Sequence, residues 1–223
     1  RLLGEGGMGK VYLATQLGMG RDVVVKVMHA HLEQQHPTFR LRFLQEAQAV
    51  ARLNHPNIVQ IFACGETAKG APYLVMEYVE GRSLKAELAA RGRLTEAEAV
   101  SVAEQICAAL DEAHARGVIH RDLKPENVML SARHGRTDFV KVLDFGIAKL
   151  LDDGKAGKTQ TGVVFGTPHY MSPQQARSES VDGRTDLYAV GVMLYEMVSG
   201  AFLFDGDSAL TIVLKHVTEP APP

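Results

Sequence analysis

The stretch from His120 to Gly146 constrains this chain more than any other. It reads His120-Arg121-Asp122-Leu123-Lys124-Pro125-Glu126-Asn127 and, after a strand-turn-strand pattern, Asp144-Phe145-Gly146. Asp122, Asn127 and Asp144 bear oxygen ligands and can converge at the mouths of short strands, with Lys124 close behind the first acid. Such a set can orient a hydroxyl nucleophile, hold a hard divalent cation and neutralise a phosphoryl group in flight. Taken singly, Asp122 can cap a turn and Asn127 can brace a loop. The joint spacing points to chemistry.

The chain has 223 residues, 46% hydrophobic and 22% charged, the composition of a soluble globular protein of one or two domains. A formal net charge of -2 gives no reason to expect nucleic acid or an anionic membrane as a partner. Cys64 and Cys107 sit in apolar runs far apart, so free thiols in a reducing compartment are expected rather than a disulfide. The nine histidines show no zinc-site spacing with the cysteines. No apolar run approaches the ~20 residues that span a bilayer, and no signal peptide precedes Arg1. A cytoplasmic location without membrane contact is expected for this segment, whatever anchor a longer protein carries. Arg1-Leu2-Leu3 starts inside an apolar run, and Glu219-Pro220-Ala221-Pro222-Pro223 stops straight after a helical pattern, so the chain reads as cut at both ends.

Gly4-Glu5-Gly6-Gly7-Met8-Gly9 runs into the β-rich Val11-Tyr12-Leu13-Ala14. The glycines therefore join two strands instead of opening a helix, and they leave room for backbone N–H groups to approach phosphates. Lys26 lies in the strand pattern Asp22–Val27 between two valines. A buried ammonium there needs an anionic partner, either phosphates or Glu46 on the helix expected over Phe39 to Leu53. Strands are expected at Ile58 to Cys64 and Ala71 to Val79. Residues 1–79 thus form a small antiparallel β lobe with one helix. From Glu80 the pattern turns helical, so 80–223 form a larger, mainly α-helical lobe. Ser83 caps a short helix to about Arg91, and Thr95 with Glu98 is a capping box for a long one to about Arg116. Ser131 to Asp138 reads as a polar turn and Lys149 to Val164 as a mobile loop. A helix from Thr185-Asp186 to Gly200 is apolar on nearly all sides and should be buried. Asp207 is the expected cap of a last helix, Ser208 to His216.

The glycine string, Lys26, His120–Asn127 and Asp144–Gly146 come in the order that makes this sequence resemble a bacterial serine/threonine protein kinase of the eukaryotic-like (Hanks) type, over nearly its whole length. The resemblance implies the α+β bilobal kinase fold, and transfer of the γ-phosphoryl of ATP to Ser/Thr hydroxyls of protein substrates in signal transduction. Magnesium, or manganese in its place, would be the metal. By resemblance Asp122 is the catalytic carboxylate, Lys124 stabilises the transferred group, Lys26 pairs with Glu46 and the phosphates, and Asn127 and Asp144 hold the metal. The nucleotide would be lined by Leu3, Gly4, Glu5, Gly6, Gly7, Met8, Gly9, Val11, Val24 and Met129. Met76 would guard the deep end, and the backbone of Glu77, Tyr78 and Val79 would read the adenine edge. Without the resemblance, Met76 is simply core.

The resemblance also implies that Thr161, or Thr159 beside it, is autophosphorylated and docks on Arg121 and Lys149. Thr167 would bond to Asp122 and Lys124, and Val164, Pro168 and Met171 would line an apolar pocket for substrate. Asp186 would hold the backbone of the His120-Arg121 turn. Two departures stand out: Val24 replaces the family's usual alanine, and Gln174 its nearly invariant glutamate. Pairing of two copies through the N-lobe is compatible with the sequence. A nucleotide-binding scaffold would lack Lys26, Asp122, Asn127 or Asp144, and all four are present. A small-molecule phosphotransferase would not need the docking loop or the threonine pair.

Overall fold

In this computed structural model, residues 1–29, 32, 39–133, 135–145 and 168–222 are described. Strands β1 (Leu2–Gly6) and β2 (Gly9–Gln16) form a hairpin around Gly7-Met8. With β3 (Arg21–Met28), β4 (Ile61–Glu66) and β5 (Pro72–Glu77) they make a five-stranded antiparallel sheet in the order β1-β2-β3-β5-β4. Gly9 is required by packing: a Cβ there would lie 2.2 Å from the Val27 carbonyl oxygen. Helix α1 (Phe39–Ala51) buries Phe39, Phe43, Ala47 and Val50 at helical spacing. Met28, Val59, Leu74 and Met76 complete that core with α1 laid against the sheet.

A turn at Gly81 (φ 151°) starts the second half, because a Cβ there would meet the Leu130 carbonyl oxygen at 2.1 Å. Strand β6 (Arg82–Ser83) pairs with β7 (Val128–Arg133), and β7 pairs with β8 (Arg136–Val142). Helices α2 (Leu84–Arg91) and α3 (Glu96–Ala115) follow β6, each capped as the sequence indicates, by Ser83 and by the Thr95–Glu98 box. Beyond the catalytic stretch come the short α4 (Pro173–Ala176), then α5 (Arg184–Ser199) and α6 (Ala209–Thr218). Leu84, Ile106, Leu110, Val128, Val142, Met193 and Met197 form the centre of the larger core, all at most 1% exposed. The α+β two-lobed architecture is the one expected.

Three details differ from expectation. Most of Ser131 to Asp138 is strand, since β7 runs to Arg133 and β8 starts at Arg136. Polar composition marked a loop where the antiparallel ladder of β7 and β8 runs through the stretch. Ser208, not Asp207, caps α6, with its hydroxyl accepting from the Thr211 N–H at 3.1 Å. Leu187 of α5 is 51% exposed, so that helix is buried on most but not all of its surface. Among the described residues no helix is long and apolar enough to cross a membrane.

The two halves are stitched together behind the cleft. Val142 N–H donates to the Asn57 carbonyl (2.8 Å), and Val59 N–H donates back to the Val142 carbonyl (3.0 Å). Beside them the buried Lys141 ammonium reaches Glu77 Oε2 at 2.7 Å and the Ile58 carbonyl at 3.1 Å.

At the start of α3, Arg91 grips Glu98 through two bonds of 2.9 and 2.8 Å, while the Thr95 N–H and hydroxyl donate to the same carboxylate. These bonds, Arg91 first, hold the Glu98 carboxyl down to about 2. The stability this adds is present above the unfolded carboxylate value of about 4.3 and is lost as pH falls towards the folded value. Glu98→Gln should therefore flatten the decline of stability between pH 4.5 and 2, read by urea unfolding across that range; parallel curves would contradict it.

Candidate active site

Lys26 reaches the cleft from β3, only 9% exposed, and its ammonium donates to Asp144 Oδ2 at 2.7 Å. In the structure Lys26 pairs with Asp144, 118 residues away, in addition to the phosphate and Glu46 partners expected from the sequence. Glu46 sits half-buried on α1 with interactions of its own. Burial pushes the Asp144 carboxyl up, but the Lys26 ammonium, with Lys124 near, outweighs it and holds the group below the usual carboxylate range. The backbone of Asp144 is left-handed (φ 59°), a conformation that aspartate tolerates better than bulkier residues.

His120 is fully buried and works as a brace. Its Nδ1 accepts from the Asp122 N–H (3.3 Å), so Nε2 carries the proton and donates to the Leu143 carbonyl (2.8 Å). That ring spans the gap between the loop bearing Asp122 and the segment bearing Asp144, and it packs against Phe145 at 4.8 Å. Lys124 Nζ donates to Asp122 Oδ2 at 2.7 Å. Asn127 donates its amide N–H to the Asp122 carbonyl (2.8 Å), and among the described residues its side-chain oxygen has no hydrogen-bond donor. Asn127 Oδ1 and the Asp144 carboxylate are hard oxygen donors. They suit a hard divalent cation. Among the described residues no group of three or more His, Cys, Asp and Glu could hold a metal ion.

The buried Asp186 carboxylate, 1% exposed at the start of α5, orders this loop. Its Oδ2 accepts from the His120 N–H and its Oδ1 from the Arg121 N–H, both at 2.9 Å. His114 Nε2 adds a contact of 2.7 Å from α3. Arg121, left-handed at φ 66°, sits directly before Asp122.

On the nucleotide side, a Cβ on Gly4, Gly6 or Gly7 would meet nothing within 4 Å, and none of the three has positive φ. Among the described residues nothing demands glycine at these three positions. Leu3, Glu5 and Met8 share this hairpin. Val11 pairs with Lys26 across β2 and β3, and Val24 pairs with the buried Met76 across β3 and β5. Met129 faces from β7, opposite Ser83. Tyr78 and Val79 follow β5 half-buried, and the Glu77 carboxylate is committed to Lys141.

On the opposite side, Pro168 and Met171 lie in and after a 3-10 turn (Pro168–Tyr170). Tyr170 donates to Glu196 at 2.6 Å, and burial pushes both groups up. Gln174 is exposed on α4. Lys149, Thr159, Thr161, Val164 and Thr167 lie outside the described residues. The sequence reading missed Lys141, His114 and Gln175, whose amide reaches the Arg121 carbonyl at 2.7 Å. Each acts through a partner distant in sequence, and only a lysine isolated between Val140 and Val142 offered a local signal.

A protein-family profile described as "Protein kinase domain" matches residues 1–221. This chain belongs to the protein kinase family. The kinase chain is 49% identical over 224 residues to Serine/threonine-protein kinase pkn3 of Myxococcus xanthus. It is 47% identical over 226 residues to Serine/threonine-protein kinase PknB of Mycobacterium tuberculosis. Each match covers 100% of this chain but only 41% and 35% of those proteins' own lengths.

Removing Asp186 would strand two backbone N–H groups in a dry interior. Asp186→Ala is expected to cost about 3 kcal/mol of stability, measured by chemical denaturation; a loss below about 1 kcal/mol, the net worth of a single ordinary bond, would show the clamp to be dispensable.

Proposed function

We propose that this chain is the catalytic domain of a serine/threonine protein kinase, which transfers the γ-phosphoryl of ATP to Ser or Thr hydroxyls of other proteins and so transmits signals. The observation that carries this reading is the meeting of two ion pairs, Lys26–Asp144 and Lys124–Asp122, in one cleft braced by His120. Asp122 accepts a hydrogen bond from the substrate hydroxyl and orients it, and Lys124 offsets charge on the moving phosphoryl group. Lys26 holds nucleotide phosphates, with Glu46 as its alternative anchor when Asp144 turns to the metal. Asn127 Oδ1 and Asp144 are the ligands for magnesium, which manganese can replace; the metal supplies charge neutralisation at the phosphates. Catalysis comes mainly from positioning and electrostatics.

The adenine lies between Val11, Val24 and Met129, against Met76, with its edge on the backbone of Glu77 to Val79. The division between the lobes falls at 79/80, where the first sheet has ended and Gly81 turns the chain. Protein substrates dock along Pro168 and Met171, with Val164 and Thr167. Thr161 or Thr159 is the site of activating autophosphorylation, paired with Arg121 and Lys149. We assign this domain to the cytoplasm, where its nucleotide is abundant.

The test is incubation of the whole protein with Mg-ATP, with phosphate mapped by mass spectrometry beside Asp122→Asn. Phosphate on Thr161 or Thr159 in the parent and none in the variant is the expected result, and Thr161→Ala should slow turnover on a protein substrate at least tenfold if the added charge orders the loop. Chelation with EDTA should stop transfer and excess magnesium restore it. ATP binding without any transfer would sink the enzymatic reading.

A further inference from the structure

The peptide group between Arg121 and Asp122 is a rigid plane, and its orientation governs where the Asp122 side chain points. It leaves a residue in the left-handed region, φ 66° at Arg121, which a long side chain adopts only when its surroundings impose it. Both polar edges of that plane are gripped. Its N–H donates to His120 Nδ1 at 3.3 Å, and its carbonyl accepts from Gln175 Nε2 at 2.7 Å. The shorter bond is the one from Gln175.

The other end of the same amide is used as well. Gln175 Oε1 accepts from the Ser172 N–H at 3.0 Å, and the Ser172 hydroxyl accepts from the Gln175 N–H at 3.3 Å. Ser172 is fully buried and follows Met171 in the substrate-facing segment. A backbone N–H can only donate and a carbonyl can only accept, so the amide orientation follows from its partners. Glutamate would keep the acceptor and lose the donor; lysine would keep a donor and lose the acceptor; asparagine is a methylene short. Gln175 therefore spans from the segment that meets the substrate to the peptide that aims the catalytic carboxylate. A small cavity of about 40 Å³ lined by Arg121, Asp122, Lys124, Met171 and Gln175 adjoins this bridge.

We propose that Gln175 is a positioning residue for phosphoryl transfer: its amide couples the place of the substrate-docking segment to the orientation of the Arg121–Asp122 peptide, and through it to Asp122. The proposal rests on the kinase reading above and adds a residue to it. Merely capping α4 would require only the acceptor end of Gln175. Coupling to Asp122 requires the donor end.

Single-turnover phosphoryl transfer by rapid quench, with ATP affinity measured separately, distinguishes the two roles in the whole protein. Gln175→Glu keeps the cap and should slow transfer about tenfold or more, since small misplacements of reacting groups are costly. ATP affinity should stay within about twofold, because the effect arises away from the nucleotide. Gln175→Lys keeps the donor and should transfer faster than Gln175→Glu. Transfer by Gln175→Glu at the parent rate, or a loss confined to ATP affinity, would overturn the coupling. So would Gln175→Lys being the slower of the two. A parent that transfers no phosphate to protein would instead bring down the kinase reading, and this role with it.

Discussion

The Asp186 carboxylate is the contact on which the rest of the site depends. It is buried at the first turn of α5, where the helix dipole favours negative charge, and it accepts from two successive backbone N–H groups of the loop bearing Asp122. Charge-assisted bonds to a buried carboxylate are among the stronger that proteins make. They hold His120 and Arg121 in a turn that would not form unaided, with Arg121 left-handed. From that turn His120 reaches across to the Leu143 carbonyl, so the segment carrying Asp144 takes its place from the same anchor. The hydrophobic surface of α5, with Met193 and Met197 fully buried, makes the anchor stiff.

A second constraint fixes the two lobes relative to each other. The Asn57–Val59 segment leads into the first sheet yet pairs with Val142, two residues before Asp144. Lys141 and Glu77 add a buried ion pair at the same level. Such a pair is costly to desolvate and earns little net stability, but an unpaired partner would be costlier still, so it holds one arrangement in place. The β3 lysine and the Asp144 carboxylate, far apart in sequence, meet because this seam sets the depth of the cleft.

Much of this was legible in the sequence, for reasons that can be traced. The Ser83 cap, the Thr95–Glu98 capping box, the apolar spacing of α1 and the glycine-rich hairpin are local signals, settled by residues within one or two turns. Asp122, Lys124, Asn127 and Asp144 stand out as candidates because of their residue types and close spacing, and the structure places Lys124 on Asp122 and Lys26 on Asp144. The polar stretch Ser131 to Asp138 misled, since polar side chains do not prevent the backbone pairing of β7 with β8. Ser208 displaced Asp207 as a cap because the choice turns on one residue's backbone angles, to which composition is blind.

The sequence by itself determined the family and the two-lobed α+β class, and it named the candidate site residues, because these follow from local pattern and from motif spacing. Only the tertiary structure decided which charges meet: Asp144 at Lys26, Lys141 at Glu77, His114 at Asp186, and the Gln175 amide on the carbonyl before Asp122. Those pairings join elements tens of residues apart. Their geometry is set by how helices and sheets pack, and packing is a property of the whole chain that no short stretch encodes.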